Sequence, residues 1–154
     1  MKSSASVSAS LASRAVRSGA LLGIGAVAAV DEIIFHQLLA WHHFYDGSTG
    51  TIGILTDGLL HAGELIALAL GSVGLWRLRD AGSLSKRHAW SGFFLGAGGF
   101  QLFDGLIVHK VLKFHQIRYV DNLLPYDLAW NGAALCLLWV GLYLTKPLTP
   151  RNPA

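Results

Sequence analysis

The amino-acid sequence predicts an all-α integral membrane protein, a four-helix bundle made of two tandem helical hairpins that form a parallel internal repeat. Three observations predict it. The chain of 154 residues is 53% hydrophobic and only 14% charged, with a mean hydropathy of +0.47; a soluble domain carries about 25% charged residues. The charges avoid four long windows and gather in the short segments between them. One pattern of histidines and carboxylates also occurs twice at a fixed offset.

The four windows are residues 20–44, 52–76, 89–114 and 125–144. Each meets the roughly 20 residues of helix that a bilayer requires. Their apolar runs are continuous and do not alternate, which argues against a β-barrel. Short connections make neighbouring helices antiparallel. The transmembrane domain is then 19–146, with repeat 1 at about 20–76 and repeat 2 at about 89–144. Residues 1–18, rich in Ser and Ala with scattered Arg, read as a flexible cytoplasmic tail, and 147–154 as a second one. The N-terminus also has the layout of a secretory signal peptide. Its apolar character, however, continues past Asp31 through "IIFHQLLAW", long enough to stay as a helix.

Orientation follows from Lys and Arg. Lys2, Arg14, Arg17, Arg77, Arg79, Lys86, Arg87, Lys146 and Arg151 fall on one side, and Lys110, Lys113 and Arg118 on the other. Nine against three places both termini in the cytoplasm. The pI of about 9.2 therefore reflects topology, and no basic patch interleaved with aromatics points to nucleic acid. The single cysteine, Cys136, allows no internal disulfide and no Cys-x-x-Cys site, and reads as a small packing residue.

The duplication lies at an offset of 73, which pairs Asp31 with Asp104, His36 with His109 and His42 with His115. Glu32 then meets Gly105, and His43 meets Gln116. The second and fourth windows pair at an offset of 70, Asp57 with Asp127 and His61 with Asn131. Two helices per unit give both units one orientation, related by an axis along the membrane normal. At about 1.5 Å per residue, His36, His61, His109 and Asn131 share one depth in the outer half. His42, His43, Asp57, His115 and Asp127 lie nearer the outer rim, and only His88 belongs to the cytoplasmic side.

Glu32, His36 and His43 form one helical stripe, and Asp57, His61 and Glu64 another. Asp127 shares a face with Asn131, and Gln101 with Asp104. On a regular helix, five residues amount to about 140° of rotation. Asp31 and Asp104 therefore cannot face His36 and His109 of their own helices, and are expected to orient histidines of neighbouring ones.

Ionisable side chains at this depth each cost at least about 2.5 kcal/mol and usually serve a function. A metal centre is the first class. His36, His61 and His109 are its expected inner ligands, with His42, His43 and His115 as an outer layer or entry path. Asp57 and Asp127 are ligands or partners of ligands. Asp31, Glu32, Glu64, Asp104, Gln101 and Asn131 give polar support. With one Met, the initiator, and one Cys, a thioether copper relay is excluded; imidazole with carboxylate favours copper or iron ahead of zinc. The alternative is a b-type haem held by His36 and His109; no c-type attachment motif exists. The third class is a polar core, proton relay or small-ligand site without metal. The run Trp41-His42-His43-Phe44-Tyr45 also reads as an interfacial belt, and Gly96 to Gly99 as a close helix contact. No catalytic triad, P-loop or dinucleotide fingerprint is present.

"DEIIFHQLLAWHH", "TDGLLHAGE" and "FQLFDGLIVHKVLKFHQIR" with "YDLAW" resemble the bacterial membrane proteins grouped as domain of unknown function 2243, over about residues 20–144. Asp31, His36, Gln37, His42 and His43 match that family's first motif, and Asp57, Gly58 and His61 its second. His109 and His115 match the second copy. Glu32 stands where the family has glycine, and Gln116 where it often has a second histidine of a pair. The resemblance implies a four-helix fold with a polar signature and no established activity. Through neighbours of copper-oxidase assembly systems, it also implies copper and a membrane oxidase or assembly partner. A homo-oligomer is the other expected association.

Overall fold

The computed structural model describes residues 4–146; the tail at 147–154, with Arg151, and Lys2 lie outside them. Among the described residues there are four α-helices: α1 (Ser4–Asp31), α2 (Gly50–Asp80), α3 (Lys86–Phe103) and α4 (Leu124–Thr145). A π-helical segment, Glu32–Leu38, continues α1, and a second, Asp104–Leu112, continues α3. All four continuous helices are long and apolar enough to cross a membrane. The helix containing the first window begins at Ser4, so the stretch expected as a flexible tail is helical where it is described. It ends at Leu38 and not near Phe44; residues 39–49 form an irregular connection, and residues 113–123 its counterpart.

Local signals set the helix ends. The Thr49 hydroxyl accepts from the Ile52 amide at the start of α2, satisfying one orphan donor. Pro125 occupies the first turn of α4, where its missing N–H costs nothing. Past α2, Gly82 takes φ +62°, and the Gly82 and Ser83 amides return to the Arg79 and Leu78 carbonyls. This is the glycine-terminated helix end for which a β-carbon would be strained.

Small residues decide how the helices meet. α1 and α3 run parallel at the centre, with α2 packed against α1 and α4 against α3. A β-carbon at Gly19 would run into the Ala89 carbonyl, and one at Gly92 into that of Val16. Gly23 sits in the same way on the Phe93 carbonyl, and Gly96 on that of Ala20. Backbones this close gain dispersion contacts that lipid cannot replace. The pairings are reciprocal: positions 16 and 89, 19 and 92, 20 and 93, and 23 and 96 each stand 73 apart. Gly98 likewise packs on Ala134 and Leu138 of α4, whereas Gly99 faces open space. Cys136 is exposed on α4 and does not pack internally.

Both π segments end alike. Ala40 (φ 47°) and Lys113 (φ 54°) take the left-handed conformation. Each is closed over by a bond from the next amide, Trp41 to Phe35 at 2.9 Å and Phe114 to Val108 at 3.1 Å. The chain is thereby turned back over the end of the bundle. The two connections are tied together by the Asp46 amide, which donates to the Phe44-adjacent loop's counterpart at the Phe114 carbonyl, 2.9 Å away.

Candidate metal centre

The π segments overturn one expectation drawn from regular helices. A π turn closes its hydrogen bonds from i to i+5, so residues five apart face one another. Asp104 Oδ2 lies 3.0 Å from His109 Nε2 within its own helix, and Asp31 Oδ2 lies 3.8 Å from His36 Nε2. Asp57 reaches across from a neighbouring helix, placing Oδ1 3.2 Å from His36 Nδ1.

Turning the connections inward overturns a second. His42 and His115, expected nearer the rim, are 5% and 2% exposed. They enter the interior and join His36 and His109. The His42 and His115 rings stack at 4.3 Å with 7° between planes. His36 lies 4.5 Å from His42, and His109 lies 4.6 Å from His115, both edge-on.

Hydrogen bonds assign the ring protons. His42 Nδ1 lies 3.0 Å from the Ile117 carbonyl, and His115 Nδ1 lies 2.9 Å from the Phe44 carbonyl. A carbonyl only accepts, so each neutral ring carries its proton on Nδ1 and a lone pair on Nε2. These two bonds are again reciprocal, since both ring and carbonyl positions stand 73 apart. The His115 Nε2 lone pair faces His109 Nε2 at 3.0 Å and Asp104 Oδ1 at 3.8 Å. His42 Nε2 and both nitrogens of His36 are buried without a hydrogen-bond partner. Glu32 Oε2 and Asp104 Oδ2 approach imidazole nitrogens to 2.7 and 3.0 Å but lack hydrogen-bond alignment. Such a collection of close, unpaired donor atoms fits a cation.

Among the described residues, three buried groups bring one ligand atom per residue within 4.8 Å of one another: His36, His42 and His115; Asp104, His109 and His115; and Glu32, His36 and Asp57. In the third, the carboxylates are already engaged. Glu32 Oε1 accepts from Gln37 Nε2 at 2.7 Å. Asp57 accepts from the Phe44 amide at 2.7 Å and lies 2.6 Å from His43 Nδ1. Carboxylates held in this way orient a ligating imidazole. Here they hold His36 Nδ1, while its Nε2 lies 3.8 Å from Asp31 Oδ2.

The other expected site residues lie elsewhere. His61 has a half-exposed side chain on α2, paired with the buried Glu64, and joins none of the groups. Asp127 binds Lys110 Nζ at 2.8 Å. Asn131 donates to the Asp127 carbonyl at 2.9 Å. Gln101 donates to the Trp130 carbonyl, and Trp130 Nε1 donates to that of Gln101, which ties α3 to α4. His43 supports Asp57 from a partly exposed position. Two contributors carry no side-chain signal at all: the Phe44 and Ile117 carbonyls. Arg118, stacked over Trp41 at 4.6 Å and donating to the Tyr126 hydroxyl, anchors the second connection. Only its place among apolar neighbours hints at that role.

Burial, reinforced by the nearby rings of His115, His36 and His109, pushes the His42 imidazole down to about 2. Burial pushes His115 down to about 4, against the pull of Asp104. Both rings are therefore neutral when folded, the form that binds metal. Below pH 6.5 the unfolded chain takes up protons at both rings and the native chain does not. Stability should thus fall as pH drops from 6.5 toward 4, by at most about 1.4 kcal/mol per unit for each ring. Melting curves of metal-free protein at pH 7.5, 6, 5 and 4.5 measure this. A melting temperature independent of pH would contradict the neutral assignment.

No curated protein and no solved structure matches the chain. A family described as predicted membrane protein (DUF2243) matches it over residues 18–147, so the chain belongs to that family.

Proposed function

We propose that this protein binds a metal ion inside the membrane, between His36, His42, His109 and His115, with Asp31 and Asp104 beside them. One observation carries the reading: four imidazoles from two hairpins converge in the interior, with the Nδ1 atoms of His42 and His115 committed to carbonyls and their Nε2 atoms turned inward. The reciprocal helix contacts and reciprocal ring–carbonyl bonds support two tandem hairpins as the origin of this arrangement. Imidazole with carboxylate favours copper or iron, then zinc. A haem plane between His36 and His109 is disfavoured, because the His42 and His115 rings fill the space between them. The excess of Lys and Arg on one side supports cytoplasmic termini in an inner membrane. The centre then faces the extracytoplasmic side, where an oxidase or its assembly machinery is the partner to seek by co-purification.

Elemental analysis and an optical spectrum of one detergent-purified sample, alongside His36→Ala and His109→Ala, test the reading. Stoichiometric copper, iron or zinc in the parent, lost from both variants, is the expected result. A Soret band would replace the reading with haem. Folded protein that stays empty after incubation with each metal would leave a polar core or proton path.

A further inference from the structure

The four converging rings are sealed in the interior, and a buried metal site needs an entry path. A cavity at one end of the bundle reaches them. It measures about 470 Å³ and is lined by Ala40, Trp41, His42, His43, Asp46 and Tyr119. These residues belong to the two connections and lie outside the four membrane-length stretches, so the cavity faces water. Its wall includes His42, one of the four ring residues, whose Nε2 is buried without a hydrogen-bond partner.

His43 differs from its buried neighbour. Its side chain is 37% exposed, and its Nδ1–H donates to Asp57 Oδ2 at 2.6 Å. A carboxylate on one nitrogen fixes the ring and leaves the lone pair on Nε2, which is how a ligating imidazole is prepared. Asp46 brings negative charge to the lining, and charge of one sign in a cleft gathers ions of the other. Arg118 stacks on Trp41 and donates to the Tyr126 hydroxyl, and is not part of the lining. The Tyr119 hydroxyl donates to Asp46 Oδ2 at 2.9 Å. That bond joins the two connections across the cavity wall.

We propose that this cavity is the port through which a hydrated metal cation enters the centre, with His43 Nε2 as its first protein ligand and the Tyr119–Asp46 bond as a latch. The proposal deepens the metal reading and rests on it. A cation with six waters, at about 30 Å³ each, needs about 180 Å³, which the cavity holds. At His43 one metal–water bond breaks and one metal–nitrogen bond forms, and no electron moves. The ion is then held beside His42, the adjoining residue of the same wall. A ligand used only in transit lowers the barrier equally in both directions. It speeds uptake and release by one factor and leaves affinity alone.

His43→Asn separates transit from support. The amide donates to Asp57 from the place of Nδ1 but offers no lone-pair nitrogen. Metal-free protein in nanodiscs would be mixed by stopped flow with Cu²⁺, Fe²⁺ or Zn²⁺, each alone and carried by a coloured indicator of known affinity. Loss of the indicator colour gives the uptake rate, excess chelator gives the release rate, and end points give the affinity. Melting temperature would be recorded on the same samples. His43→Asn should slow uptake and release together by about tenfold or more, the low end of the range that association rates span among variants of one site. Its end point and melting should stay those of the parent. Tyr119→Phe, which removes only the hydroxyl of the latch, should speed both by about two- to tenfold, the worth of one hydrogen bond. Unchanged rates in both variants, or a change in His43→Asn confined to affinity, would overturn the port and leave the metal reading standing. A parent that takes up none of the three metals would sink the metal reading and the port with it.

Discussion

His115→Ala is expected to abolish stoichiometric metal binding. His115 belongs to two of the three buried donor groups, and its Nδ1 bond to the Phe44 carbonyl ties the connection at 113–123 to that at 39–49. Truncation removes a ligand and loosens the lid over the others. Loss of a partner that merely orients a ligand costs about 10- to 100-fold in affinity, so loss of the ligand itself should exceed 100-fold. Glu32→Gln, which leaves every ring in place but weakens the hold on His36, belongs in the lower range. His61→Ala, outside all three groups, should change affinity by less than about twofold. Competition with a chelator of known strength measures all three. If His115→Ala bound metal as tightly as the parent, the centre would have to lie away from the stacked rings.

The second large effect concerns the fold. Gly96→Leu should prevent α1 and α3 from meeting, because even the first carbon of the new side chain collides with the Ala20 carbonyl. Backbone cannot yield as a flexible side chain does, and overpacking of a tight contact costs about 1–3 kcal/mol or more. Gly99→Leu, three residues on, meets nothing within 4 Å and serves as the matched control. Thermal unfolding in one detergent, read by helical signal and by proteolysis, should show the first variant unfolded or strongly destabilised and the second like the parent. Equal melting of the two would mean that the α1–α3 approach is looser than described.

Much of this was legible in residue types and spacing. Apolar windows announce spans because a bilayer demands length and continuity; the last one, 125–144, matches α4 at Leu124–Thr145 to within one residue at each end. The offset of 73 recurs in helix contacts, in the left-handed residues Ala40 and Lys113, and in the two ring–carbonyl bonds. His36 and His109 were recognisable as inner residues by depth. His42 was not, since a histidine beside Trp41 and Tyr45 at a helix end has the composition of an interfacial belt.

The sequence by itself determined that four helices cross a membrane and that histidines and carboxylates gather toward one end of them. Hydropathy and linear distance suffice for both, because each depends on residues one at a time. Only the tertiary structure decided which of those residues meet. A π turn rotates Asp104 onto His109, a change of helical phase that no regular periodicity foretells. A left-handed residue at Ala40 and another at Lys113 fold the connections inward, so that His42 and His115 meet carbonyls of the opposite hairpin. His61, expected at the depth of His36 and His109, is left half-exposed on α2, paired with Glu64 and outside the three donor groups.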